Sequence, residues 1–398
     1  MVRGRRGRCQ AKGPCREGGV SHTPRRGVPA TPFRGPTSFR SVEIAHILKR
    51  MVDPTVLTSV PPTPAREKGS DFSELSRRMA EAGLLRRRPL YYTLRFGAVG
   101  MALAGGVAAF LVLGDSWSQL IVAAALAVVS GQLGLAAHDL AHRQVFSRRR
   151  PSETGGLLVA NVLLGMSYGW WMNKHTRHHA NPNHEKKDPD VAPDIIVWSR
   201  RQAKQAKGPA RFIGKHQAAL FFPLLTLEGL NLSFSSFKAL RSPSMKRPVL
   251  EGALLVAHFA VYFGGLFLVL SPVRALAFIA VHQGLFGIYL GSVFAPNHKG
   301  MPMIEEGTEP DFLRRQVLTS RNVDGGVFVD VFMGGLNHQI EHHLFPSMPT
   351  PALGRAQVIT ERYCAELGIP YCRTGLLASH RQALRHLRQV GEPLRDRV

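Results

Sequence analysis

The chain has 398 residues, of which 44% are hydrophobic, and it carries 51 Lys and Arg against 27 Asp and Glu, a net charge of +24. Long uncharged runs alternate with strongly basic stretches, which excludes a single soluble globule. Four cysteines (Cys9, Cys15, Cys364, Cys372) without a C-x-x-C pair exclude a disulfide scaffold, a zinc ribbon and a dithiol redox motif. Twelve basic and two acidic side chains fall in the first fifty residues. The remaining excess of fourteen lies in the connections between hydrophobic runs, where a membrane protein places its cytoplasmic Lys and Arg, so nucleic-acid binding is set aside.

Residues 1–50 are rich in Arg, Gly and Pro without apolar periodicity, and disorder is expected there. A start at Met51 is the simplest account of this stretch, and a transit peptide is the other. Four uncharged runs are long enough to span a bilayer: Phe96–Gly114, Trp117–Ala137, Gly252–Leu270 and Ala275–Pro296. Asp115 and Ser116 separate the first pair and Ser271–Arg274 the second, so the runs read as two helical hairpins. Residues 138–251 hold eighteen Lys and Arg, whereas the two short links hold only Arg274. That bias predicts both termini and the long middle loop on the cytoplasmic side. Gly155–Met172 and Ala218–Phe237 are also apolar, and they are expected to lie at the interface or to re-enter rather than cross.

Nine of the seventeen histidines fall in four places. His138 and His142 stand in "AAHDLAHRQVF" after the second run. His175, His178 and His179 stand in "WWMNKHTRHHANPN". His298 ends the fourth run in "FAPNHKGM", and His338, His342 and His343 lie in "GGLNHQIEHHLFP". Spacings of three and four share one helical face, so each cluster can aim several imidazoles at one point. A lone histidine on a helix is more often hydrogen-bonded or solvated, and His22, His46, His184, His216, His258, His282, His380 and His386 are read that way. The clusters point instead to metal. A zinc ion takes about four ligands, so eight or nine imidazoles imply two ions. Imidazole without thiolate favours two irons, although all-histidine dizinc and dicopper sites share the spacing.

The topology and the chemistry agree. An even number of crossings precedes each cluster only if Gly155–Met172 and Ala218–Phe237 do not cross alone, and the charge bias gives the same four-span arrangement. The fold class expected is therefore an all-α integral membrane protein, with four transmembrane helices as two hairpins and a cytoplasmic helical cap carrying a histidine-rich dimetal site.

Three boxes in this order, H-x-x-x-H, H-x-x-H-H and Q-I-E-H-H-L-F-P, resemble those of the membrane fatty acid desaturase family over about two-thirds of the chain. The resemblance implies a diiron centre (Fe2+/Fe3+) that uses O2 and two electrons to remove two hydrogens from an acyl chain, carried on coenzyme A or lipid. By it His138, His142, His175, His178, His179, His342 and His343 are iron ligands, and His298 matches a further histidine found between the last span and the third box. Gln339 stands where most members have His, with His338 one residue earlier. This is similar to the front-end and actinobacterial acyl-CoA desaturase branches. One residue is about 100° around a helix, so Gln339 and His338 cannot replace each other. Asn297, Asp139, Asn173 and Glu341 are candidates to support a water or to orient the imidazoles.

The family's fused haem domain carries His-Pro-Gly-Gly, whereas here His22 precedes Thr23 and Pro24. A separate ferredoxin or reductase is therefore the expected donor. The expected domains are a basic lead-in at 1–88, the desaturase domain at 89–350 and a cytoplasmic helical tail at 351–398. The Arg-rich, GC-biased composition suggests a bacterial cytoplasmic membrane. A diiron hydroxylase acting on alkyl or acyl chains is the alternative. A metal transporter would want carboxylates at mid-membrane, where only His258, His282, Tyr262 and Tyr289 are ionisable.

Overall fold

The computed structural model describes residues 70–308 and 310–395, so residues 1–50 and a start at Met51 lie outside the described residues. Ser70 opens α1 (Asp71–Glu81) by accepting the Ser73 N–H, and Asp71 and Glu74 sit at its positive end. A four-residue spacing puts Leu75 and Met79 on one buried face. Pro89 then begins α2 (Pro89–Leu113), where its missing N–H leaves no helical bond unmade. A short link leads back into α3 (Gln119–Ala141), which ends at His142. α2 and α3 close on each other where Gly106 meets Leu126: a Cβ on that glycine would lie 2.5 Å from the leucine methyl.

After α3 the chain turns through α4 (Arg149–Leu157) into a π-helical turn at Leu158–Leu163, then breaks before α5 (Tyr168–Ala180). The apolar run Gly155–Met172 is thus not one straight helix. Its break is fixed by a buried carboxylate, because Asn161 Nδ2, Ser167 Oγ and the Gly169 N–H all donate to Glu251, at 3.2, 2.7 and 3.1 Å. Ser167 also caps α5 through the Trp170 N–H. The short α6 (Arg200–Gln205) precedes α7 (Gly208–Leu225) and α8 (Glu228–Ala239), which meet at an 85° bend. Pro223 sits two residues before α7 stops, consistent with a ring that cannot continue the hydrogen-bond ladder.

The second hairpin is α9 (Pro248–Val269) and α10 (Pro272–His298), each begun by proline. α2, α3, α9 and α10 are the helices long and apolar enough to cross a membrane among the described residues, and a fifth arises only if the bent pair α7–α8 counts as one. Their outward side chains, such as Met101, Ile121, Val261 and Leu268, are exposed and apolar, which suits a lipid environment.

The remainder packs beneath these helices. α11 (Phe312–Leu318), β1 (Asn322–Asp324), α12 (Gly326–Phe332), α13 (Gln339–Leu344) and α14 (Thr350–Glu366) follow in order. β2 (Arg373–Gly375) pairs in parallel with β1, Val323 opposite Thr374, and α15 (Leu376–Val390) and α16 (Glu392–Arg395) end the chain. One buried cluster joins Leu75 and Met79 of α1, Leu313 and Val317 of α11, Ile340 and Leu344 of α13 and Leu353 of α14. The third histidine box therefore sits on a core built from both ends of the described chain. Leu75→Ala or Ile340→Ala leaves a cavity there and is expected to cost about 2–5 kcal/mol. This is read as a lowered thermal midpoint in detergent, with the 88%-exposed Leu268→Ala unchanged as control.

Candidate metal centre

Four elements bring eight histidines together. The C-terminal end of α3 carries His138 and, at its cap, His142; α5 carries His175, His178 and His179; α10 ends on His298; α13 carries His342 and His343. Their ring nitrogens form two groups. In one, His138, His142, His175, His179 and His342 offer nitrogens that all lie within 4.8 Å of one another; in the other, His178, His298 and His343 do the same.

Within the larger group, the Nε2 atoms of His142 and His175 are 2.8 Å apart, those of His175 and His179 are 3.0 Å and those of His179 and His342 are 3.2 Å. In the smaller group, His178 and His298 are 3.3 Å apart and His298 and His343 are 3.1 Å, again at Nε2. Two nitrogens bound to one ion at about 2.1 Å and at a right angle would stand about 3 Å apart.

The protons decide what these contacts are. His178 Nδ1–H donates to Asp188 at 3.0 Å, His298 Nδ1–H to the Thr319 carbonyl at 3.0 Å and His343 Nδ1–H to Gln316 Oε1 at 3.0 Å. The Gln316 amide is itself oriented, because its Nε2 donates to the His179 carbonyl. Each outer nitrogen therefore carries the proton, and three Nε2 lone pairs face one another, that of His298 also within reach of the Gln339 amide. That arrangement is repulsive alone and suits a cation. In the larger group His138 Nε2 is buried without a hydrogen-bond partner, another donor set awaiting a positive charge.

Electrostatics keep four of the rings neutral. Burial, then neighbouring imidazoles, push His175, His179, His342 and His343 well below the usual imidazole range. At His178 burial also disfavours the charge, but the carboxylates of Asp190 and Asp188 outweigh it and move the ring upward. The cluster His178–Asp188–Asp190 does not require a third ion, since these carboxylates lie at His178 Nδ1, opposite the nitrogen that faces His298.

The other named residues separate cleanly. Gln339 places its amide nitrogen 2.9 Å from His298 Nε2, and its oxygen accepts from Asn297 Nδ2 at 3.0 Å. Asn297 Oδ1 is buried without a partner, so it can accept from a bound water. His338 points elsewhere, its Nδ1 2.7 Å from Gln357 Oε1 and its Nε2 3.6 Å from Asp330. Asp139 holds Arg95 at 2.5 Å. Glu341 faces away from both groups, accepting from Tyr371 at 2.6 Å and Asn322 at 2.7 Å, and burial pushes its carboxyl up to about 7. Asn173 is on the exposed side of α5. His258 and His282 are hydrogen-bonded within the helices, to the Val162 carbonyl and to Ser130 and Tyr262.

Several contributors carry no motif of their own. Asp188, Gln316 and Thr319 fix the outer nitrogens, and the Trp171 ring stacks on His175 with centroids 4.4 Å apart. Arg321, fully buried, donates to the Pro296 carbonyl at 2.8 Å and to the Lys299 carbonyl at 2.7 Å, which caps the end of α10 that carries His298. A cavity of about 300 Å³ opens beside His138, His175, His178 and His298, and Leu164, Leu232, Phe286, Leu290 and Phe294 continue its wall. Charged groups on that wall include Lys174, which pairs with Asp190 at 2.9 Å, and Lys299, which lies 4.1 Å over the Trp198 ring.

Comparison with known proteins adds a family. The model described as "Fatty acid desaturase" matches residues 115–375. An acyl-lipid (9-3)-desaturase of Physcomitrium patens is 30% identical over 345 residues, 84% of this chain but 64% of that longer protein. A Delta(6)-fatty-acid desaturase of Caenorhabditis elegans is 28% identical over 82% of this chain and 76% of its own length. A Delta(8)-fatty-acid desaturase of Euglena gracilis is 27% identical over 81% of this chain and 80% of its own.

Asp188→Asn keeps the size of the side chain but weakens its hold on His178. It is expected to lower metal retention about 10- to 100-fold, measured as metal content after dialysis against a graded chelator series. Arg177→Gln, on an exposed side chain of the same helix, is expected to leave retention unchanged.

Proposed function

The chain belongs to the fatty acid desaturase family, and from that premise we propose that it introduces a cis double bond into a long acyl chain, using O2 and two electrons at two iron ions. The observation that carries this reading is the convergence of bare imidazole nitrogens in two adjacent groups beside an apolar cavity. His138, His142, His175, His179 and His342 would hold one ion, and His178, His298 and His343 the other, with Gln339 beside it and Asn297 available to a water. Bound iron supplies the activation of O2 to an oxidant strong enough for an unactivated C–H bond.

The protein's part is positional. The apolar wall binds the acyl chain and excludes water, and Leu290 and Phe294 align it with the histidine-lined end. Asp188, Thr319 and Gln316 hold the outer protons of three imidazoles, so those rings do not rotate between turnovers. Two reducing equivalents are assigned to a separate ferredoxin or reductase, and the carrier of the acyl chain to coenzyme A or a membrane lipid. Gln339 at the head of the third box aligns the protein with front-end desaturases, in keeping with relatives named for Delta(6) and Delta(8) positions.

In the membrane, we assign four crossings, α2, α3, α9 and α10, with both termini and the histidine groups on the cytoplasmic side. Support comes from the basic residues between α3 and α9 and from the break in Gly155–Met172 and the 85° bend in α7–α8, which suit segments that lie at the interface or re-enter.

Expression in a host with a matching reductase, followed by mass spectrometry of total fatty acids, tests the reaction. A new cis double bond is expected that disappears in His342→Ala. A hydroxylated acid in its place would make the protein a diiron hydroxylase instead.

A further inference from the structure

A second cavity, about 630 Å³, lies on the opposite side of α3 from the histidine cavity. At 100° per residue, Val128, Val129 and Gln132 point about 180° away from Gly134, Ala137 and His138. It is therefore not a branch of the space that would receive the reacting chain. Its volume falls within the range of small-molecule sites. Ala98, Val99 and Ala102 of α2 form the facing wall, and their short side chains leave the space between the helices unfilled. The wall is apolar, and Ala98, Ala102 and Val128 on it are exposed on two helices assigned to the bilayer, so its ligand has an apolar chain that arrives from the membrane.

The other end of the cavity is polar and defines the head. Arg95 gives one nitrogen to Asp139 at 2.5 Å and interacts with the Tyr91 hydroxyl, while its Nη2 is buried without a hydrogen-bond acceptor among the described residues. Tyr91, Gln132, Asp330, His338 and Thr350 complete this end. Asp330 accepts from Asn337 at 2.7 Å with one oxygen, and its side chain is 50% exposed. Gly334, at φ +58°, lets the chain pass under Arg95: a Cβ there would lie 2.8 Å from Nη2. Asp139 behind Arg95 and Asp330 in the lining leave this end with no uncompensated positive charge, which disfavours a phosphate or carboxylate head. A donor with a free nitrogen and a half-free acceptor in one lining fit a hydroxyl-bearing head, which can accept from Arg95 and donate to Asp330.

We propose that this cavity binds an uncharged acyl lipid with a polyol head, of the monoacylglycerol class, at the back of the histidine centre. The site touches that centre through two short links. Asp139, which Arg95 grips, follows His138, and His338, which lines the cavity, precedes Gln339. Occupancy thus braces the end of α3 and the start of α13 together. The inference does not depend on which reaction the centre performs.

The test uses the full chain in phosphatidylcholine nanodiscs with a trace of a diazirine-bearing 1-monoacylglycerol, photolysed and mapped by peptide mass spectrometry. Adducts are expected on the peptides holding residues 98–102 and 128–132. Excess unlabelled monoolein should reduce them at least tenfold, and equal oleate or phosphatidylglycerol should not. Ala102→Phe and Val128→Phe fill the cleft from opposite walls, and each should abolish that labelling. The competition on the unaltered chain stands even if one variant does not fold. Adducts spread evenly over the outer faces of α9 and α10, competition by the anionic lipids as strong as by monoolein, or labelling that survives both variants would each overturn the proposal.

Discussion

Bare nitrogen lone pairs pointed at one another are the constraint on which the rest of this structure depends. Eight imidazoles are gathered in a protected place, several of them held neutral by burial and by each other, with neighbouring Nε2 atoms 2.8–3.3 Å apart. Left without a cation, such an arrangement leaves buried polar atoms unsatisfied at a cost of one to a few kcal/mol each. With two cations that cost becomes binding energy, and folding of this part of the chain is then coupled to metal uptake. The helices, the break before α5 and the core under α13 all serve to bring those atoms to one place.

The two groups are held differently. In the three-histidine group each outer nitrogen has a dedicated acceptor from the segments after α5 and α10, so its geometry is set by long-range contacts. In the five-histidine group the outer nitrogens of His179 and His342 have no hydrogen-bond partner among the described residues. There the helical spacing of α3 and α5 and the stacking of Trp171 do the orienting. Arg321 and Asn183 hold the end of α10 that brings His298 to the smaller group, the latter by donating to the His298 carbonyl at 3.0 Å. A disturbance of residues 183–190 or 316–321 should therefore reach the smaller group before the larger.

Much of this was legible in the sequence because it depends on local periodicity. Runs of about twenty uncharged residues mark the four long helices, and intervals of three and four mark the histidines. Seven of the converging histidines lie in the spaced boxes, His298 is marked only by the resemblance, and His338, grouped with the third box in sequence, stands apart from both groups. What could not be read depends on tertiary approach. Asp188 lies ten residues from His178 in a turn with no periodicity, Gln316 lies twenty-seven residues before His343, and the Thr319 contribution is a backbone carbonyl that no side-chain pattern reveals. The choice between Gln339 and His338 turned on where α13 begins, a one-residue question that only the fold answers: Gln339 faces His298 and His338 faces Gln357. The cavity behind α3 left no motif either, since small apolar residues in a span look the same whether they pack or leave a cleft.

The central claim is that two ions sit in these two groups, and metal analysis of the full-length protein tests it most directly. Protein purified from iron-replete cells should contain two irons per chain, and X-ray absorption should show only nitrogen and oxygen neighbours, with no sulfur. His343→Ala should reduce the content to about one. A single ion in the unaltered chain, or a content that His343→Ala does not change, would contradict the account.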